Sequence, residues 1–82
     1  MIVGVAIKKD QILFYLPKPY RHNDVIAMMI DVYSESKPFR YQGFVTDDWK
    51  YLNRVDAAEY ALKNKQCEKL IASPRLFSED LW

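Results

Sequence analysis

Arg21 and His22 stand side by side just ahead of a helical pattern, and Arg54 stands in the same place ahead of a second one. An arginine offers a planar fork of donors matched to phosphate oxygens. A helix start adds unpaired N–H groups and a partial positive charge, both of which favour anions. The stretch Pro17-Lys18-Pro19-Tyr20-Arg21-His22-Asn23 brings an imidazole and an aromatic ring to the first of these places, and Asn53-Arg54 repeats the arrangement. Two such starts, each following a strand, suit two phosphates, with a nearby Tyr or Phe ring stacking on a base. That combination fits a nucleotide-like small molecule better than a long polymer. The plainer reading is that both arginines pair with surface carboxylates or helix ends. Phe44, in Gln42-Gly43-Phe44, is either a core residue or a stacking platform; the glycine beside it permits close approach of a ligand or of another backbone.

Chemistry beyond binding finds little support. There is one histidine and one cysteine, and the only glycines, Gly4 and Gly43, make no phosphate loop. Nothing around Cys67 or His22 resembles the setting of a nucleophile, and His22 lacks the further ligands a metal needs. Asp47-Asp48 and Ser78-Glu79-Asp80 read as solvated turn formers. We therefore expect no catalytic residue, no metal and no cofactor. Cys67 is alone, which excludes an intrachain disulfide and fits a small half-buried hydrophobe in a reducing compartment. The twelve basic and eleven acidic residues leave a net charge of +1, too little for a general grip on DNA or an acidic membrane. The apolar run at the start has no basic segment before it and is too short to span a bilayer, so a cytoplasmic protein is expected.

The elements that must position these residues follow from the pattern. Ile2 to Ile7 and Ile12 to Leu16 are apolar, β-branched runs around the polar break Lys8-Lys9-Asp10-Gln11, which predicts a hairpin ended by Pro17-Lys18-Pro19. Asn23 or Asp24 caps a first helix that closes at Lys37-Pro38. Its apolar stripe (Val25, Met29 and Val32 beside Ile26, Ile30 and Tyr33) is wide enough for one flank to face the sheet and the other a second copy. Phe39 to Val45 and Trp49 to Leu52 predict a second hairpin around Thr46-Asp47-Asp48. Asn53 caps a second helix from Arg54 to about Asn64, with Val55, Ala58, Ala61 and Leu62 inward. The tail carries a short apolar stretch, Leu70 to Ala72, then Pro74, and a single helical turn from Ser78. Trp82 is expected to dock. The whole is β-β-α-β-β-α plus a docked tail: a single α+β domain over residues 1–82, its antiparallel sheet covered on one face by two helices. A fifth strand from the tail is the alternative.

A chain of 82 residues, half of them hydrophobic and 15% aromatic, holds more apolar surface than so thin a core encloses. Several aromatics are therefore expected at a ligand site or a subunit interface, and a homo-oligomer is expected.

Leu16-Pro17-x-Pro19-x-Arg21-His22 with Val25-Ile26, Gln42-Gly43-Phe44, Arg54 with Ala57-Ala58, and the closing Leu76-Phe77-Ser78-Glu79-Asp80-Leu81-Trp82 occur together and in order. In this the chain resembles the phage Thoeris anti-defence sponges, small proteins that sequester a cyclic ADP-ribose signal. The terminal motif is the most specific part. The chain departs from some members in a compressed segment between the first helix and Gln42. The resemblance implies a phage protein acting in the cytoplasm of an infected bacterium. Such a protein holds an immune messenger without degrading it, with cyclic di- or trinucleotides as further ligands, and assembles as dimers or hexamers. It also implies a ligand site of Arg21, His22, Phe44 and Arg54, with Asp56 and Arg75 as lesser members. The arginines would take phosphate, Phe44 would stack and Asp56 would bind ribose hydroxyls. A competing reading is an oligomeric inhibitor of a host protein.

Overall fold

The computed structural model describes residues 1–82. β1 (Ile2–Lys9) and β2 (Ile12–Pro17) form the first hairpin. Asp10 and Gln11 alone make its turn, both at positive φ (52° and 65°), the twist that suits a two-residue connection. After α1 (His22–Asp31) come β3 (Tyr41–Thr46) and β4 (Tyr51–Asn53), then α2 (Arg54–Lys63) and a 3₁₀ turn at Ser78–Asp80. The strands order as β2-β1-β3-β4, antiparallel throughout, so the two hairpins meet along β1 and β3. α1 lies against β1 and β2, and α2 against β3 and β4. The expected α+β fold, two helices on one face of a small antiparallel sheet, is the observed one.

Alternation along the strands decides which side chains meet the helices. Val5 pairs with both Leu16 and Phe44, and Ile7 with Phe14, which puts these side chains on one face. Val25 and Met29 of α1 and Ala57, Ala58 and Ala61 of α2 close over them, joined by Leu76 from the tail. Alanines on α2 let that helix sit close to the sheet. Its inward face is therefore turned from the expected one: Val55 and Leu62 are exposed, and Ala57 takes their place in the core.

Several expected boundaries shift: α1 starts at His22 with Arg21 rather than Asn23 or Asp24 at its N-cap, β1 runs on to Lys9, and β3 starts at Tyr41 rather than Phe39. α1 stops at Asp31 rather than running to Lys37, because Ser34 adopts a left-handed φ of 57° and the Glu35 N–H reaches back to the Met29 carbonyl at 2.8 Å. Ile30, Val32 and Tyr33 are left exposed at that end. Trp49 belongs to the β3–β4 turn rather than to a strand. Its φ is 64°, and its ring stands edge-on to Tyr15 at 5.6 Å. The tail adds no fifth strand. It has one isolated bridge, Ala72 with Arg75, and otherwise lies across the mouths of both helices.

The sheet face away from the helices is covered by the chain's own tyrosines. A Cβ on Gly43 would lie 2.8 Å from the Tyr51 ring, and one on Gly4 would lie 2.4 Å from the Tyr15 ring. Both glycines are buried under these rings. The close approach that Gly43 permits is thus made by a ring of the same chain.

Candidate functional site

The tail determines what each helix start presents. At α1, the Arg21 N–H donates to Asp24 Oδ2 at 2.8 Å, which closes the first turn. The Arg21 guanidinium turns to the tail: Nη1 donates to Ser78 Oγ at 2.9 Å, Nη2 to the main-chain oxygen of Trp82, and Glu79 lies 3.6 Å away. The Trp82 indole N–H donates to the Tyr20 carbonyl at 3.1 Å, so the expected docking of Trp82 occurs here. The space left is a hollow of about 180 Å³ beside Arg21, His22 and Ser78.

His22 is a core residue. Its Nε2 donates to the Gly43 carbonyl at 2.7 Å, and its ring meets Phe44 edge-on at 5.1 Å. Burial, reinforced by the nearby Arg54 charge, lowers its pKa from 6.5 to about 4. At neutral pH it is an uncharged imidazole that ties α1 to β3. Phe44 is wholly enclosed. The stacking role that the resemblance gives it has no room, because both its faces are packed into the core.

The start of α2 is built differently. Asn53 caps it, its Oδ1 accepting the Asp56 N–H at 2.8 Å while its Nδ2 donates to Asp56 Oδ2 at 3.2 Å. Arg54 is held on three sides. Nη1 donates to the Leu76 carbonyl at 2.8 Å, Nη2 donates to Gln42 Oε1 at 3.0 Å, and the Phe77 ring lies 4.5 Å from the guanidinium carbon. Burial pulls its pKa below the ordinary arginine value, but a guanidinium stays charged at neutral pH. The Leu76 N–H also bonds the Arg54 carbonyl at 2.9 Å, which fixes Arg75 beside the helix start.

Beyond Arg54 lies a cleft of about 540 Å³, lined by Arg40, Gln42, Asn53, Arg54, Val55, Asp56 and Arg75. Arg40 and Arg75 are exposed and belong to none of the four ion pairs of the chain. Three guanidiniums therefore share a hollow with one carboxylate, two amides and a helix N-terminus. Such a set can take two or more anionic oxygens and a pair of hydroxyls.

Of the residues expected at the site, Arg54, Asp56 and Arg75 come together in this cleft, whereas Arg21 and His22 line the smaller hollow and Phe44 lines neither. Gln42 and Arg54 border both hollows. Sequence reasoning missed Arg40 altogether. The available signal was its position two residues before Gln42, which the period of a strand places on the same side.

The family described as phage T4 y16D protein matches over residues 1–82. Comparison with curated proteins and with solved structures gives no match. The family match carries phage origin; the likeness to messenger sponges rests on the motifs alone. With the match spanning its whole length, the chain belongs to the phage T4 y16D protein family.

Proposed function

We propose that this phage protein binds a nucleotide-derived immune messenger, a cyclic ADP-ribose isomer, in the cleft at the start of α2 and sequesters it without degrading it. The observation that carries the reading is the convergence of Arg40, Arg54 and Arg75 on one cleft, all three of them outside every ion pair of the chain. Its volume of about 540 Å³ lies within the ordinary range of about 300–1,000 Å³ for small-molecule sites. The arginines would hold the phosphates, Gln42 keeps Arg54 aimed, and Asp56 would accept hydrogen bonds from ribose hydroxyls. The motif likeness to the sponges supports the choice of messenger, with cyclic di- and trinucleotides as further ligands. A homo-oligomer, dimer or hexamer, belongs to the reading: Ile30 at the end of α1, with Val32 and Tyr33 just after it, forms an exposed apolar patch that a second copy would cover.

The test is to mix the protein with a cyclic ADP-ribose isomer and with cyclic di- and trinucleotides, remove free ligand, and follow thermal unfolding. A tight ligand raises the midpoint by mass action. An unchanged midpoint with every ligand refutes the reading. A second reading, an inhibitor that blocks a host protein, draws on the exposed Trp49 and Tyr41. Pull-down of a host protein without any small-molecule binding would favour it.

A further inference from the structure

With Phe44 enclosed, a base attached to phosphates in the arginine cleft needs another ring. The Phe77 ring is already taken by the Arg54 guanidinium, and the rings that line a neighbouring hollow come from the other side of β3 and β4. Tyr41 and Tyr51, with Lys8 and Asn53, line a second hollow of about 420 Å³. Asn53 also lines the arginine cleft, and Arg40 links that cleft to a third hollow of about 290 Å³ that Lys8 and Tyr41 share. The three spaces thus share Arg40, Tyr41 and Asn53 as walls, with guanidiniums lining one and aromatic rings another.

We infer that Tyr41 and Tyr51, with Lys8 beside them, form the base-binding wall of this site, taking the planar heteroaromatic base of the nucleotide whose phosphates the arginines hold. This rests on the proposed reading of the arginine cleft. Tyr51 is suited to the role because its ring is already fixed. One side of the ring lies on Gly43, where even a Cβ would approach it to 2.8 Å, and its hydroxyl donates to the Tyr41 carbonyl at 3.0 Å. A ring held in place before binding loses little freedom when a base stacks on it. Tyr41 is 67% exposed, which leaves a large aromatic face open to solvent. Lys8 Nζ sits 5.2 Å from the Tyr51 centroid, on a flexible stem that can move aside for a base and reach a phosphate. The aromatic contact supplies affinity for the base and little selectivity among bases, because every base has a π-face.

Calorimetric titration of the full chain with ADP-ribose and with inorganic pyrophosphate separates the two parts of the site. Tyr41→Ala removes an exposed ring and leaves the core untouched. It is expected to weaken ADP-ribose about tenfold, the effect of losing one stacked base, while pyrophosphate binds as before. Tyr41→Phe, which keeps the ring, is expected to restore ADP-ribose affinity. Unchanged ADP-ribose affinity in Tyr41→Ala would overturn the inference, as would equal losses for both ligands or failure of Tyr41→Phe to rescue. Should the wild type bind pyrophosphate but take ADP-ribose no more tightly, the base wall is wrong and the arginine cleft stands. Binding of neither ligand removes both.

Discussion

The two helix starts look alike in the sequence and differ in what surrounds them. Each has an arginine after a strand, and each arginine ends up holding the C-terminal segment. At α1 that is all there is. Arg21 is engaged by Ser78, Glu79 and Trp82, and the imidazole next to it is neutral and hydrogen-bonded in the core. At α2 the tail borders the mouth instead of filling it, and it brings Arg75 into the same cleft as Arg40. An arginine at a helix start is thus not yet a site. What separates the two is whether further guanidiniums remain without partners once the chain's own donors and acceptors are matched.

That contrast can be broken most decisively by binding. Replacing Arg40 and Arg75 together with alanine should weaken pyrophosphate or ADP-ribose by about 4 kcal/mol, roughly a thousandfold, since a hydrogen bond to a charged group is worth about 1.5–3 kcal/mol. The unfolding midpoint should not move, because neither side chain takes part in an ion pair of the chain. Equal losses from Arg21→Ala would erase the distinction between the two ends.

Acid titration probes the α1 end. The folded pKa of His22, about 4, lies below its unfolded value of 6.5. Keeping the ring neutral therefore costs nothing above pH 6.5 and an increasing amount below it. Stability should fall by about 3 kcal/mol between pH 6.5 and pH 4, because each tenfold difference in proton affinity between the folded and unfolded chain is worth about 1.4 kcal/mol. Denaturant unfolding across that window measures it. A His22→Gln variant should show a much flatter profile, and an equally steep one would mean that other groups carry the dependence.

Arg21→Ala should lower stability by about 1–2 kcal/mol, because it frees the tail from Ser78 and Trp82 while the guanidinium was partly solvated. Ligand affinity should be unaffected. The smallest effect is expected for Trp82→Phe. It removes the indole donor to the exposed Tyr20 carbonyl and should cost about 1 kcal/mol or less. A loss of ligand binding in Trp82→Phe would place the tail's end in the site after all.

Much of this fold was legible because local rules and global packing agree. Continuous apolar, β-branched runs marked the first hairpin and aromatic–polar alternation the second, and Asn53 marked the start of α2, where its side chain accepts the Asp56 N–H. The end of α1 was not legible, since Val32 and Tyr33 continue the apolar stripe while a left-handed Ser34 breaks the helix. Trp49 looked like a strand residue by type and is a turn residue by φ. The inward face of α2 was misjudged because size misleads: the alanines pack and the larger Val55 and Leu62 do not. Of the residues that line the cleft, Arg54 was legible from its place at a helix start, and Asp56 and Arg75 were named from the family resemblance. Arg40 and the two tyrosines were not, because their meeting depends on how β3 and β4 pair and on where the tail crosses. Apart from the two-residue step from Arg40 to Gln42, no spacing in the sequence carries that information.

The central claim, capture of an intact nucleotide in the three-arginine cleft, is tested most directly by recovery of the ligand. The protein is loaded with a cyclic ADP-ribose isomer, freed of excess by gel filtration, heated to unfold, and the supernatant chromatographed. Unaltered ligand is expected from the wild type and from Arg21→Ala, and none from the Arg40→Ala/Arg75→Ala variant. Release of a converted product, or equal recovery from all three proteins, would contradict the claim.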